Sequence, residues 1–130
     1  MIREARPGDV RAIAELVGRA HLHAVGTPAE ASVDELEERW AGHVHGRARV
    51  WVAEQDDLLA GVTALDGDEI LVLCVDPTAQ GAGVGAQLHD LVAAEGGRIV
   101  RAPQGSDQLR MFLGARGWRE EPDGSGTYVR

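Results

Sequence analysis

The sequence predicts an α/β fold: one domain with a central mixed sheet flanked by helices. Three observations carry that expectation. Apolar residues recur at helical spacing in four stretches, with strand-like runs between them. The resulting order, β-α-α-β-β-β-α-β-α-β-β, runs without a repeat, a linker or a low-complexity tail. One apolar run, 70–75, shows no polar alternation, as expected of an interior strand. The 130 residues suit a single domain spanning 1–130.

Residues 2–5 read as a short edge strand. Pro7 marks a first helical turn, with Asp9 where a carboxylate favours a helix N-terminus. Val10, Ile13, Ala14 and Val17 make one apolar face, and this helix is expected to fray between His21 and Gly26, ahead of the break at Gly26-Thr27-Pro28. Ser32-Val33-Asp34-Glu35 is a capping box: the Glu35 amide donates to the Ser32 hydroxyl, and the Glu35 carboxylate reaches back to the Ser32 amide. Val33, Leu36, Trp40 and Val44 form the stripe of this second helix, which Gly46 ends. Strands are expected at 50–53 and 58–65 around a turn at Gln55-Asp56-Asp57. Asp66-Gly67 signals a hairpin into the run 70–75, expected to be a central strand buried on both faces and stopped by Asp76-Pro77. After a glycine-rich loop, Val84, Leu88, Leu91 and Val92 share a helix face that ends at Gly96-Gly97. Residues 98–102 read as a strand. Leu109, Phe112 and Leu113 mark a last helix capped by Gly117, and 118–121 with 126–130 form a closing hairpin.

Composition excludes several function classes. Thirteen basic residues, all Arg, face 21 acidic ones, giving a net charge of -8. No positive surplus exists to neutralise phosphates, so nucleic acid is not an expected partner. The absence of lysine, which fits a GC-rich bacterial genome, removes Schiff-base and P-loop chemistry. The lone Cys74 makes no intrachain disulfide, and zinc-finger Cys/His spacing is absent. The longest apolar run is too short to span a bilayer, and the charged start of the chain is not a signal peptide. A soluble cytoplasmic protein without a membrane partner is expected.

The informative stretch runs from Leu73 to Gly85. It joins an apolar strand to a helix through a loop with glycine at 81, 83 and 85. Such a loop lets successive backbone N–H groups converge, and the helix dipole adds partial positive charge there. A phosphate or pyrophosphate is bound this way without Lys or Arg, which matters in a chain this acidic. A dinucleotide fingerprint on Gly81-x-Gly83-x-x-Ala86 fits poorly, because 76–80 intervene after the strand and Pro77 breaks the chain. The carboxylate that fingerprint needs further on would be Asp107, which opens a helix instead of ending a strand. Gly-Lys-Ser/Thr is absent, so the P-loop reading fails.

The spacing resembles the Gcn5-related N-acetyltransferase (GNAT) family. Its central motif is a buried strand, Val-x-Pro, then Gln/Arg-x-x-Gly-x-Gly/Ala opening a helix. Here these are Val75-Asp76-Pro77 and Gln80-Gly81-Ala82-Gly83-Val84-Gly85. The likeness extends over nearly the whole chain through the two early helices, the hairpin before the motif strand, and the closing helix with Gly117-Trp118. It implies a GNAT-like acyl-CoA N-acyltransferase fold with a mostly antiparallel sheet. It implies acetyl-CoA, or a related acyl-CoA, as cosubstrate. The backbone of Gln80, Gly81, Ala82, Gly83, Val84 and Gly85 would hold the pyrophosphate, and Leu73, Cys74 and Val75 the pantetheine arm. The implied reaction is acetyl transfer to a primary amine of a small molecule or peptide, with a homodimer as the expected assembly. The alternative is a CoA-binding regulatory protein that has lost turnover.

The chain departs from the family where a proton donor is expected. Counting back from Gly117-Trp118, the family's Asn falls at Ser106 and its Tyr, the proposed acid beside the CoA sulfur, at Leu113. Leucine cannot donate a proton, and the only tyrosine, Tyr128, lies in the final strand. Position alone offers Glu54, Asp68 and Glu69 as bases, so catalytic residues stay unassigned. The pairs His21/His23 and His43/His45 point in nearly opposite directions on a helix and make no metal site. The resemblance places His21, His23 and Trp40 near the acceptor, although Trp40 and Cys74 read first as core. Glu30, Asp34, Glu35, Glu37 and Glu38 are expected to border the acceptor site and to favour a cationic amine.

Overall fold

A computed structural model describes residues 1–79, 81–101 and 107–130. Seven strands form one sheet in the order β1-β2-β3-β4-β5-β7-β6. They are β1 (Ile2–Glu4), β2 (Arg49–Gln55), β3 (Leu58–Asp66), β4 (Glu69–Val75), β5 (Ile99–Arg101), β6 (Arg119–Glu120) and β7 (Thr127–Val129). The helices are α1 (Val10–Val25), α2 (Val33–His45), α3 (Val84–Ala94) and α4 (Asp107–Ala115), with 3-10 turns at Pro7–Asp9 and Pro77–Ala79. Every strand pairing is antiparallel except β4 with β5. The mixed α/β expectation, with a mostly antiparallel sheet, is met.

Local chemistry explains most boundaries. The capping box forms as expected: Glu35 N donates to Ser32 Oγ at 3.1 Å, and Ser32 N to Glu35 Oε1 at 3.2 Å. The β2–β3 turn places Asp56 and Asp57 at φ 52° and 65°, the left-handed pair that a tight hairpin turn requires and that aspartate tolerates. Asp66 pairs with Glu69, so the next hairpin turns on Gly67-Asp68, one residue later than the sequence signal. The expected fraying after His21 does not occur: α1 is helical to Val25, and the Gly26 amide closes its end on Leu22 O at 2.8 Å. The closing strands, β6 and β7, are shorter than expected, and of the strand expected at 98–102, Ala102 lies outside the described residues.

The sheet is covered on both faces. Val10, Ile13 and Leu16 of α1 and Trp40 of α2 pack on Val50, Val52, Val62 and Ala64. On the other face, α3 and α4 bring Val92 and Leu113 against Trp51, Leu65, Ile70 and Val100, with Trp118 and Tyr128 closing the cluster. Leu88 and Val84 sit over Ala53 and Ala60. Gly61 makes this approach possible, since a Cβ there would lie 2.7 Å from Leu88 Cδ1 and 3.0 Å from Cys74 O. Trp118 Nε1 donates to the buried His89 Nε2 at 3.0 Å, while His89 Nδ1 faces Asp90 Oδ1 at 3.0 Å. That pairing puts the ring proton on Nδ1 and ties α3 to the closing hairpin.

One expectation needs correction. The apolar run 70–75 is central in strand order but is not fully buried on both faces: Ile70 is buried, and residues 71–75 are partly buried. The reason is topological. Among the described residues, β5 pairs with β4 only at Glu69 and Ile70, and the rest of β4 is paired by β3 alone. Opposite β3, the register jumps from Ala64–Val72 to Leu65–Ile70, which leaves Leu71 as an extra residue in a β-bulge.

No helix among the described residues is long and apolar enough to cross a membrane.

Candidate active site

Beside β4, a cavity of about 570 Å³ opens along the residues that β5 does not pair among the described ones. Residues 70–75 form its floor, α1 contributes Val17, Ala20, His21, Ala24 and Val25, and α4 contributes Gln108, Leu109, Phe112 and Arg116. At the end of β4 the wall is the glycine loop and the N-terminus of α3, through Ala79, Gly81, Gly83, Val84, Gly85 and Ala86.

That helix N-terminus is left open. Gly83 is the N-cap at φ 81°, no side chain caps the helix, and no acidic residue sits in its first turn. The bond from Gln87 N to Gly83 O, at 3.1 Å, begins the helical ladder. The amides of 84–86 therefore precede it and lack intrahelical acceptors. A Cβ at Gly81 or Gly83 would meet nothing within 4 Å, so these glycines serve the left-handed backbone, at φ 88° and 81°. Gly85 serves contact instead: its Cβ would sit 3.4 Å from Val75 Cγ2 and 3.8 Å from Phe112 Cε2.

Asp76 orders the approach to this loop. Its Oδ1 accepts from Thr78 N at 3.0 Å and Thr78 Oγ1 at 2.7 Å, and its Oδ2 accepts from Arg19 Nη2 at 2.6 Å. Burial alone would raise this carboxyl, but the Thr78 bonds and the Arg19 guanidinium outweigh it and hold the group below the usual carboxylate range. The Arg19–Asp76 pair also fastens α1 to the loop, an attachment that nothing local in the sequence announces.

The polar side chains of the lining are His21, Cys74, Arg101, Gln108 and Arg116, and no carboxylate is among the described lining residues. Burial, aided by Asp76, pushes the Cys74 thiol up to about 12, so it is neither a thiolate nor a nucleophile near neutral pH. Arg101 is paired with Glu69, and the Arg116 guanidinium stacks over the Phe112 ring at 3.9 Å.

The sequence-derived residues divide accordingly. Leu73, Cys74, Val75, Gly81, Gly83, Val84 and Gly85 all line the cavity, whereas Ala82 does not, and Gln80 and Ser106 lie outside the described residues. Glu54 is paired with Arg3, Glu69 with Arg101, and Asp68 accepts the Arg98 and Ile99 amides through its carbonyl. None of these three expected bases lines the cavity. Leu113 is fully buried in the core, and Phe112 and Leu109 face the cavity from α4. Tyr128 lies in the core cluster beside Trp118 and does not line the cavity. Of the histidines in the two pairs only His21 lines the cavity, and Trp40 is core.

The acidic segment is also corrected. Asp34 and Glu37 pair with Arg11 at 2.7 and 2.8 Å, Glu35 caps its own helix, and no residue of α2 lines the cavity. Sequence reasoning missed the bulge at Leu71 and the Arg19–Asp76 pair. Both depend on partners far along the chain.

Residues 20–102 match the family model described as acetyltransferase (GNAT) domain. No curated protein matches the sequence. Among solved structures, the PaiA N-acetyltransferase from Thermoplasma acidophilum, in complex with coenzyme A, has a TM-score of 0.77 at 16% identity, over 99% of this chain and 95% of that one. The apo form of YjaB from Escherichia coli gives 0.76 at 19% identity, over 99% and 95%. An acetyltransferase of the GNAT family from Staphylococcus aureus Mu50 gives 0.76 at 15% identity, over 100% and 97%. Identities this low speak for the fold, and the domain match over more than half the chain speaks for the family. The chain belongs to the GNAT acetyltransferase family.

Proposed function

We propose that residues 1–130 form one N-acetyltransferase domain that takes an acetyl group from acetyl-CoA and passes it to a primary amine of a small molecule or peptide. The observation that carries this reading is that one cavity is bordered both by the edge of β4 that no described strand pairs and by the uncapped N-terminus of α3. The residues present fit the cosubstrate. The open loop at Gly81 and Gly83 leaves space beside free amides, which suits a pyrophosphate in a chain of charge -8. Leu73, Cys74 and Val75 are paired by β3 on one side and by no described strand on the other, an edge that suits the amide-bearing pantetheine arm. Acetyl-CoA supplies the acetyl group as a thioester, activated toward an amine and carrying a good leaving group. On the protein side, Gly81 through Gly85, together with Gln80, hold the phosphates. The bulge at Leu71 releases backbone groups from the ladder beside the cavity, where a donor to the thioester oxygen is needed.

The α1 wall of Val17, Ala20, Ala24 and Val25, in a cavity with no carboxylate among its described lining residues, suits an amine with an apolar body better than a polycation. A second reading, a CoA-binding regulator without turnover, is favoured by the lack of a proton donor at Leu113 and Phe112. Calorimetry and thiol release separate the two. The wild type is expected to bind acetyl-CoA and to release thiol with at least one amine of a panel. Gly83→Val, which strains a backbone at φ 81°, is expected to weaken binding at least tenfold, about 1.4 kcal/mol. Binding without release for every amine supports the regulator; no binding refutes both.

A further inference from the structure

We propose that His21 is the catalytic base that takes the acceptor amine's proton, an assignment that rests on the acetyltransferase reading above. The cavity lining makes the argument by elimination. Near neutral pH, Arg101 and Arg116 stay protonated, Gln108 does not titrate, and Cys74 keeps its proton with the thiol pushed up to about 12. No carboxylate lines the cavity among the described residues: Glu54 and Glu69 are held in ion pairs by Arg3 and Arg101, and Asp68 lies outside the lining. His21 alone among the described lining side chains is an imidazole, the one group there whose neutral form offers a nitrogen lone pair.

Its position supports the role. His21 lies with Val17, Ala20 and Ala24 on the face of α1 that lines the cavity, whose lining β4 shares. It makes no hydrogen bond or ion pair with another described residue, so its imidazole is not committed to holding the fold. His89 shows the contrast: it is buried, with both ring nitrogens engaged by Trp118 and Asp90. The charged and titratable groups that share the cavity lining with His21 are Cys74 from β4, Arg101 from β5, which is paired with Glu69, and Arg116 from α4. On its own helix, Arg19 is held by Asp76, while α2 packs on α1 through Leu36 and Trp40.

The step balances as follows. The neutral amine nitrogen forms a bond to the thioester carbonyl carbon, and His21 removes the proton that leaves this nitrogen positively charged. The carbon–sulfur bond breaks with its electron pair on sulfur. The imidazolium of His21 then returns the proton to the thiolate through solvent in the open cavity, giving amide and free thiol.

The test pairs His21→Gln and His21→Ala with the wild type, using acetyl-CoA and a panel of apolar primary amines headed by 2-phenylethylamine. Calorimetric affinity for acetyl-CoA should stay within about twofold in both variants, which also shows that they fold. At neutral pH, kcat/KM should fall at least 100-fold, within the range a positioned base contributes. The acid limb of the wild-type pH profile should vanish, and added imidazole should restore part of the His21→Ala rate, a rescue that a packing role would not give. Unchanged kcat/KM, or an acid limb retained in both variants, overturns the assignment of His21 alone. Binding of acetyl-CoA without thiol release for any amine overturns it together with the enzymatic reading and leaves the cosubstrate site standing. Failure of the wild type to bind acetyl-CoA overturns the functional reading itself.

Discussion

Two helices in this chain begin in opposite ways. α2 seals its N-terminus with its own side chains: Ser32 and Glu35 exchange bonds, and Asp34 and Glu35 place negative charge in the first turn. α3 begins at Gly83 with neither a side-chain cap nor an acidic first turn. In a protein with 21 acidic residues, that omission singles the site out. The nearest carboxylate, Asp76, is used before the loop, where it holds Thr78 and Arg19. It orders the chain leading to α3 and leaves the amides of 84–86 free. The difference teaches that one motif of physics, the helix N-terminus, serves stability when closed and ligand binding when left open.

The sharpest way to break this contrast is to close α3. Gly83→Asp supplies a carboxylate at the N-cap, and aspartate tolerates the left-handed backbone better than most residues. Acetyl-CoA affinity should fall at least 100-fold, about 2.7 kcal/mol, while the melting temperature changes little. Calorimetry beside a thermal melt checks both, and retained affinity would mean that these amides do not hold the phosphates.

Next in size is Asp76→Asn, which keeps the shape and removes the charge. Stability should drop by about 2 kcal/mol, because the amide oxygen that still accepts from Thr78 has lost its charge and the amide nitrogen is turned on Arg19, whose half-exposed pairing is itself screened by water. The folded protein holds this carboxyl below its ordinary value, so its contribution is complete above about pH 4 and is lost as pH falls through the depressed folded value. Urea melts of the two proteins should therefore differ at pH 7 and converge in strong acid. A gap that widens with acid would reverse the assignment.

Ser32→Ala opens the closed helix. The expected cost is about 1 kcal/mol of stability with no change in acetyl-CoA affinity, since α2 does not reach the cavity. The smallest effect belongs to Asp34→Asn, whose side chain is 88% exposed. It should lower the melting temperature less than Ser32→Ala, and only at low salt.

Local features were legible in advance because their causes are local. Ser32 and Glu35 are three residues apart, Gly67 sits inside its hairpin, and the glycines at 81 and 83 adopt their left-handed conformations within one loop. The bases proposed by position were misplaced for the opposite reason. Whether Glu54 or Glu69 faces a cavity depends on Arg3 and Arg101, each more than 30 residues away. The acidic run at 30–38 reads as a field on a substrate until Arg11 and the cap of α2 engage its members.

By itself, then, the sequence determined the order of elements, the capped start of α2, the open start of α3 and the family motif between Val75 and Gly85. Each follows from residue types within a few positions of one another, where side-chain and backbone preferences act directly. Only the tertiary structure decided that, among the described residues, β5 pairs with β4 no further than Ile70, that Leu71 bulges out of the ladder, and that α1 brings His21 into the lining of the cavity beside β4. Those outcomes depend on strand register and on packing across the sheet, contacts between distant residues that no local preference encodes.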